Sequence, residues 1–128
     1  MAQLSESDRE KIEAPNLAFL ATVMEDGSPQ LSPVWIAMED DRITFNTALG
    51  RLKERNMRRD PRVAISVANR DDFYDRVTIR GRVVEMIEGE VAENQIDDLS
   101  RKYAGKDYSH KPGEARLKVV VEPRVVSR

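Results

Sequence analysis

The chain lacks cysteine and has a single histidine, His110, among its 128 residues. Without cysteine there can be no disulfide framework, no thiolate nucleophile and no cysteine-ligated zinc or iron–sulfur site. One histidine excludes His-rich metal sites and the HExxH motif, so no metal site is predicted. A GxSxG motif is also missing, and His110 lies in a polar segment typical of a surface loop. Hydrolysis by a nucleophile and a histidine base is therefore not expected.

The sequence also lacks any apolar run close to the roughly 20 residues that span a membrane. Its first residues carry acids and no apolar core of a signal peptide. The 21 Lys and Arg residues against 23 Asp and Glu residues give a formal charge of -2, which provides no overall field for nucleic acid or anionic lipid. We therefore expect a cytoplasmic protein in which residues 1–128 form one domain, with neither nucleic acid nor membrane as a partner.

Hydrophobic periodicity predicts three helices and six strands. A capping box of Ser7 and Glu10 is expected to open the first helix, whose polar composition predicts a surface position. Strands follow one another through turns, and no GxGxxG motif follows a strand, which disfavours a doubly wound α/β fold. The pattern predicts an α+β barrel or sandwich, mainly antiparallel, with helices at about 6–13, 51–59 and 89–104 and strands at about 17–24, 30–38, 42–47, 62–68, 75–87 and 117–126.

The most informative stretch is residues 46–62, where a strand end, a glycine turn, a basic helix and a proline follow in order. At helical spacing, Arg51, Arg55 and Arg58 or Arg59 share one face. Gly50 permits a sharp entry into the helix, whose first N–H groups with Arg51 and Lys53 would suit a phosphate. A solvated helix face with local acidic partners is the alternative interpretation of the same residues.

The predicted strand 30–38 contains Pro33 and the only tryptophan, Trp35. Because proline cannot donate a ladder hydrogen bond, this strand is expected to be irregular or at an edge, either as a simple bulge or beside a ligand. Trp35 fits core or dimer packing, or contact with a ligand ring. An anion-binding turn beside an apolar strand describes a nucleotide-like cofactor, which a domain this small would bury best at a dimer interface.

Three blocks of the chain resemble the split β-barrel flavin and deazaflavin oxidoreductases related to pyridoxamine 5′-phosphate oxidase. The resemblance extends over nearly the whole sequence and is most specific in its middle block. The blocks are residues 17–35 (LAFLAT, DGSPQ and PVW), residues 43–64 (ITFNT and KERNMRRDPRVA) and residues 81–83 (GRV). The run from Lys53 to Val63 is particularly similar to the branch that uses coenzyme F420, a deazaflavin.

This resemblance implies a six-stranded split barrel with short rim helices, working as a homodimer with the cofactor at the subunit interface. The strand against the cofactor ring would comprise Ser32, Pro33, Val34, Trp35 and Ile36. The phosphate would be held by Thr47, Arg51, Lys53 and Asn56, and the acidic tail of the deazaflavin by Arg55 or Arg58. The partner subunit would close the site with residues around Arg76, Thr78 and Arg80.

The implied activity is hydride transfer from reduced coenzyme F420 to an unsaturated small-molecule substrate. An FMN-dependent oxidoreductase and a non-catalytic carrier of coenzyme F420 are the alternatives. Leu52 stands where the flavin-phosphate oxidases often have a basic residue, and their basic residues near the C-terminus have no clear counterpart in this chain. Oxidation of pyridoxamine phosphate is therefore not the expected reaction.

Overall fold

The chain folds into one curled antiparallel sheet with helices packed on it, as seen in a computed structural model that describes residues 2–128. Within these residues the sheet has seven strands in the order β2-β1-β5-β6-β7-β4-β3. The strands are β1 (Ala18–Val23), β2 (Pro29–Val34), β3 (Ile36–Glu39), β4 (Arg42–Ala48), β5 (Arg62–Asn69), β6 (Asp72–Glu88) and β7 (Arg116–Ser127). The helices are α1 (Glu6–Glu13), α2 (Leu52–Arg59) and α3 (Glu90–Ala104). The α+β split-barrel prediction is confirmed.

The predicted strand 30–38 is two strands, and this is why the sheet has one strand more than the six expected. β2 pairs with β1 at one edge of the sheet, whereas β3 pairs with β4 at the opposite edge. The chain crosses between the edges at Trp35, so the segment from Pro29 to Glu39 draws both edges together and closes the barrel. Hydrophobic periodicity could not reveal the break, because it records which face a residue occupies and not which strand it pairs with.

Alternating apolar side chains of the central strands fill the barrel. Leu20, Phe45, Ile65, Ile79 and Val119 are all buried to 1% exposure or less. Burying each side chain of this size contributes about 1.5–3 kcal/mol. The barrel interior is therefore a packed core, and a ligand must bind at its rim or on its outer face.

Helix α1 has the predicted length but begins with a different cap. The Asp8 N–H donates to Ser5 Oγ at 3.1 Å, and the Ser5 N–H donates to the Asp8 carboxylate at 2.9 Å. The capping box is thus Ser5 with Asp8, and the prediction of Ser7 with Glu10 was wrong. The expected surface position holds for one face of α1, where Glu6, Ser7, Glu10 and Glu13 are exposed. The other face packs across β3 and β5, and Ile12 on it is fully buried.

Helix α3 ends as predicted at Gly105, which takes the left-handed conformation with φ 74°. At fifteen residues it is the longest helix between residues 2 and 128. None of the helices in this described part of the chain combines the length and the apolar composition that a membrane span requires.

Gly81 marks a bend in β6, where the register with β7 shifts between Arg80 and Gly81. A Cβ at this position would lie 2.7 Å from Val121 Cγ1 and 2.8 Å from the Glu122 carbonyl oxygen. We predict that Gly81→Ala lowers the free energy of unfolding by about 1–3 kcal/mol, because the backbone oxygen cannot move aside without disturbing the ladder. Urea unfolding measures the change, with the exposed Ser127→Ala as a control expected within about 0.5 kcal/mol of the parent. Equal stability of the two variants would contradict the prediction.

Candidate functional site

A cavity of about 270 Å³ opens where β4 ends and α2 begins. We call it the β4–α2 cavity. Its walls come from the β2–β3 crossing, the end of β4, the start of α2, one face of α3 and the segment before β7. The lining residues are Leu17, Pro33, Val34, Trp35, Asn46, Thr47, Arg51, Lys53, Ile96, Leu99, Tyr108 and Arg116.

The turn between β4 and α2 brings the first turn of the helix to this cavity. Gly50 has φ 89°, a conformation that favours glycine, and α2 begins directly after Arg51. The Gly50 N–H donates to the Glu54 carboxylate at 2.9 Å, which fixes the turn against the helix. Among residues 2–128 no side chain caps the N-terminus of α2. The positive end of the helix dipole therefore lies beside the cavity with its first N–H groups uncapped by a side chain.

Three basic side chains line the β4–α2 cavity: Arg51, Lys53 and Arg116. Burial lowers the pKa of Lys53, and the nearby charges of Arg51 and Arg116 lower it further. The mutual repulsion of these cations is unfavourable in the protein alone, and an anion that binds among them offsets it. A carboxylate from Glu114 offsets part of the charge, with an oxygen 3.0 Å from Arg116 Nη1. The cavity therefore keeps an excess of positive charge.

Thr47 supplies a second sign of a ligand. Its side chain is 1% exposed, yet within the described residues Oγ1 has no hydrogen-bond partner. Leaving a buried polar group unsatisfied costs about 1–3 kcal/mol, which a ligand oxygen beside Thr47 would recover. The unpartnered hydroxyl and the three cations share one cavity, so the residues present fit the phosphate group of a cofactor.

Part of the cavity lining is apolar and comprises Pro33, Val34, Trp35, Ile96 and Leu99. The Trp35 ring stacks on Tyr103 of α3, with centroids 5.5 Å apart and planes 7° from parallel. Trp35 therefore packs against the protein and also lines the cavity, which combines two interpretations left open by its sequence position. An apolar wall and a cationic end in one cavity suit a flat ring joined to a phosphate.

Two neighbouring residues of α3 hold the β2–β3 crossing in place. Lys102 Nζ donates to the carbonyl oxygens of Ile12 and Ile36, each at 2.6 Å, and burial lowers the pKa of Lys102 to about 8. The Tyr103 hydroxyl accepts from the Ile36 N–H at 3.3 Å and donates to the Asn16 carbonyl at 2.7 Å. These bonds fix the strand that forms the apolar wall.

The structure brings six of the predicted cofactor contacts to the β4–α2 cavity: Pro33, Val34, Trp35, Thr47, Arg51 and Lys53. Ser32 is half-buried in β2 and does not line the cavity; its Oγ has no hydrogen-bond partner among residues 2–128. Ile36 also lies away from the cavity, because its side chain is fully buried in the core and its N–H and C=O bond to α3.

Arg51, Arg55, Arg58 and Arg59 are all exposed, and those within α2 bond to acceptors of the protein, as the solvated-face interpretation predicts. Arg55 donates to the Gly50 carbonyl at 2.6 Å, Arg58 donates to the Glu54 carboxylate at 2.7 Å, and Arg59 donates to the Val23 carbonyl at 2.7 Å. Each arginine is thus drawn to a different partner, because the helix has carbonyl and carboxylate acceptors on several sides. Their predicted contact with a cofactor tail stays a prediction.

Asn56, predicted at the phosphate, is buried on the other side of α2. Its side-chain nitrogen donates to Thr22 Oγ1 at 3.0 Å, and its oxygen accepts from Arg59 at 3.1 Å. These bonds join α2 to β1. Asn56 therefore holds the helix against the barrel in the single subunit and does not line the cavity.

The remaining predicted contacts lie on β6, away from the β4–α2 cavity of the same subunit. Arg76, Thr78 and Arg80 alternate with the buried Val77 and Ile79, so their side chains lie on the outer face of the sheet. Arg80 lines a separate cavity of about 540 Å³, together with three other arginines: Arg62, Arg82 and Arg124. One subunit alone does not bring Arg76, Thr78 or Arg80 to the predicted site.

Sequence reasoning missed three polar residues of the site: Asn46, Tyr108 and Arg116. Arg116 is 5% exposed, donates to Asn46 Oδ1 at 2.8 Å, and has its guanidinium 5.0 Å from the centre of the Tyr108 ring. Arg116 is the first residue of β7, a strand that also contains Lys118, Glu122 and Arg124, so its charge alone gave no signal in the sequence. His110 is exposed as expected and bonds to Asp97 at 2.9 Å, which braces the segment carrying Tyr108 against α3.

Comparisons with known proteins agree with this geometry. An F420 reductase of known structure is similar at 28% identity and a TM-score of 0.86, with 97% of this chain and 98% of that chain covered. A conserved hypothetical protein from Mycobacterium tuberculosis matches at 26% identity and a TM-score of 0.72, over 98% of this chain and 88% of that one. A putative pyridoxamine 5′-phosphate oxidase from Listeria innocua shares the fold at 18% identity and a TM-score of 0.61, over 87% and 86%.

The family model for pyridoxamine 5′-phosphate oxidase matches residues 4–126, which is nearly the whole chain. This match includes segments that line the cavity: the β2–β3 crossing, the β4–α2 turn and the start of β7. The chain therefore belongs to the pyridoxamine 5′-phosphate oxidase family.

Proposed function

We propose that this protein is an oxidoreductase that uses coenzyme F420 to reduce an unsaturated small-molecule substrate. The family and the F420 reductase neighbour support an oxidoreductase of the flavin or deazaflavin type. The observation that carries the proposal is the β4–α2 cavity, in which three cations and the unpartnered Thr47 hydroxyl share the lining with an apolar wall. A phosphate joined to a flat ring matches both ends of this cavity.

In this proposal each end of the cavity has its own task. Arg51, Lys53 and Thr47 hold the phosphate, while Pro33 and Trp35 form the surface for the ring. When bound, the deazaflavin supplies hydride chemistry that protein side chains lack. The protein binds and orients the cofactor and excludes water from its ring, and the rigid β2–β3 crossing sets the position of the ring.

We propose further that the working unit is a homodimer. The outer face of the sheet carries two cross-strand rows that are largely apolar, Pro33–Phe19–Ser66 and Leu31–Ala21–Ala64. Leu17, just before β1, and Ala68 of β5 occupy the next outward positions. We call this surface the outer apolar face. Leu17, Phe19 and Leu31 are 47%, 44% and 67% exposed, an arrangement typical of a surface that binds another protein.

The position of this face explains how a second subunit would complete the cofactor site. Leu17 and Pro33 belong to both the outer apolar face and the β4–α2 cavity. Arg76, Thr78 and Arg80 continue the same rows on β6. A second copy bound to the face through a two-fold axis would carry its β6 residues toward the first copy's cavity, as the family resemblance implies.

Binding measurements test the choice of cofactor. The purified protein is titrated separately with coenzyme F420 and with FMN, and quenching of ligand fluorescence gives the two dissociation constants. We expect coenzyme F420 to bind more tightly. Micromolar binding of FMN alone would reject the F420 proposal in favour of an FMN-dependent oxidoreductase.

Turnover measurements separate an enzyme from a carrier. We expect the reduced deazaflavin to be oxidised with at least one member of a panel of enones, quinones and tetrapyrroles, followed by its absorbance. Saturable cofactor binding without oxidation by any of these compounds would favour the carrier function.

A further inference from the structure

Glu114 places one negative charge against cations that line the β4–α2 cavity. The Glu114 carboxylate accepts a hydrogen bond from Arg116 Nη1 at 3.0 Å and from the Tyr108 hydroxyl at 3.2 Å. Its second oxygen lies 3.9 Å from Arg51 Nη2. The side chain is 16% exposed, so water screens this charge only in part. Glu114 thus touches two of the three cations proposed to hold the cofactor phosphate.

Two backbone hydrogen bonds hold the main chain around Glu114. The Glu114 N–H donates to the Lys111 carbonyl at 3.1 Å, and the Leu49 N–H donates to the Ala115 carbonyl at 2.9 Å. The second bond joins the residue after Glu114 to the turn that carries Arg51. The backbone of Glu114 is therefore held close to the turn that carries Arg51.

Glu114 is ionised at neutral pH. Burial by itself raises the pKa of this carboxyl, but the hydrogen bond and charge of Arg116, with contributions from Tyr108 and Arg51, bring the pKa below its usual range. A ligand anion at Arg51 and Lys53 is therefore repelled by a full negative charge, and the repulsion grows in proportion to the charge of the ligand.

We propose that Glu114 is a specificity-determining residue that favours a singly charged phosphodiester over a doubly charged phosphomonoester in the β4–α2 cavity. This inference rests on the proposed function, in which the cavity binds a cofactor phosphate. Coenzyme F420 carries its phosphate as a diester with one negative charge. FMN carries a monoester with a charge of about −1.5 to −2 at pH 7. The charge of Glu114 thus discriminates against FMN at the phosphate, apart from any contact with the ring.

The test uses two flavins that share the isoalloxazine ring and differ in the charge of the phosphate. FMN is a monoester, whereas riboflavin 4′,5′-cyclic phosphate is a diester. The Coulomb energy between Glu114 and the ligand is proportional to the charge of the ligand. If removing the Glu114 charge increases the affinity for a monoanion threefold, it therefore increases the affinity for a dianion by the square of that factor, about ninefold. We expect Glu114→Gln to tighten the cyclic ester about threefold and FMN about tenfold. Quenching of flavin fluorescence at pH 8 and fixed ionic strength gives both dissociation constants.

Two further variants control for total charge and for shape. Glu122→Gln makes the same change of charge eight residues after Glu114, on β7 and about 20 Å from Arg116 at the start of that strand, and is expected to leave the ratio of the two dissociation constants unchanged. Glu114→Asp keeps the charge and is expected to keep the parent ratio. Glu114→Ala removes the charge and is expected to shift the ratio as Glu114→Gln does, which tests the inference should Glu114→Gln fold poorly. An unchanged ratio in Glu114→Gln, or a shifted ratio in Glu114→Asp, would overturn the assignment.

The test of the role of Glu114 and the test of the proposed function can fail independently. If coenzyme F420 does not bind the parent protein while the flavin ratio still shifts in Glu114→Gln, the proposed function fails and the role of Glu114 stands. If coenzyme F420 binds tightly and the flavin ratio does not move, the proposed function stands and the role of Glu114 is rejected. Failure of both flavin esters to bind the parent and Glu114→Gln would overturn the assignment of a phosphate site to this cavity.

Discussion

Replacing Lys53 by glutamate is expected to weaken binding of coenzyme F420 by about 100-fold or more with little change in stability. The substitution removes a charge-assisted hydrogen bond to the phosphate and adds a repulsive charge, and each effect is worth about 1.5–3 kcal/mol. Lys53 lies on the first turn of a rim helix and its pKa is lowered by burial and by Arg51 and Arg116. The fold gains nothing from this cation, so the free energy of unfolding is expected to change by less than about 1 kcal/mol.

Fluorescence titration and urea unfolding of the same Lys53→Glu preparations measure the two effects. Lys53→Gln, which removes the charge without reversing it, is expected to weaken binding by about tenfold. The exposed Lys106, outside the cavity, provides the matched charge reversal, and Lys106→Glu is expected to bind as the parent does. An affinity within threefold of the parent in Lys53→Glu would show that the phosphate does not bind at this end of the cavity.

The sequence was sufficient to predict the elements of the barrel because most of its strands have one buried face. The alternation of Val63, Ile65 and Val67 in β5 follows directly from the period of a strand, and so does the buried position of Val77 and Ile79 in β6. The break at Trp35 escaped prediction because both halves of the crossing continue one alternating pattern while pairing with different neighbours. Strand pairing is a property of the whole sheet, and a single strand's sequence does not contain it.

Prediction of which residues share the cavity succeeded where the grouping depends on local chain geometry, while their contact with a cofactor stays a prediction. A glycine turn followed by basic residues at a helix start is a local pattern, and Thr47, Arg51 and Lys53 do line one cavity. It failed where a residue's role depends on contacts distant in sequence. Asn56 lies on the same short helix as Lys53 and has a polar side chain, but it bonds to Thr22 of β1 and stabilises the packing of α2.

Arg116 is a site residue that was not predicted, also because its contacts are distant in sequence. It lies 70 residues beyond Asn46 in the sequence, yet its guanidinium donates to the Asn46 side chain inside the cavity wall. The pairing of β4 with β7, which places Ala48 opposite Arg116, creates this contact. Because the two antiparallel strands that meet there are far apart in the sequence, helix and turn signals near residue 50 could not have identified Arg116.

Introducing a charge at Phe19 is expected to separate the proposed dimer. Phe19 lies at the centre of the outer apolar face, between Pro33 and Ser66, and is 44% exposed in the single subunit. In a dimer, the glutamate of Phe19→Glu would be buried at the interface. Its carboxylate would lose its water without gaining a cationic partner, which costs several kcal/mol. We predict a change from dimer to monomer at micromolar concentration, measured by size-exclusion chromatography with light scattering.

The same Phe19→Glu variant tests whether the cofactor site needs both subunits. If the partner subunit closes the site through its β6 residues, the monomer must lose affinity for coenzyme F420 by about tenfold or more, although the β4–α2 cavity is unaltered. Val91, which is 49% exposed on α3, provides the control, since Val91→Glu adds the same charge away from the outer apolar face. A monomer that binds the cofactor as tightly as the parent would show that one subunit holds the whole binding site. A Phe19→Glu protein that remains dimeric would assign the dimer contact to another surface.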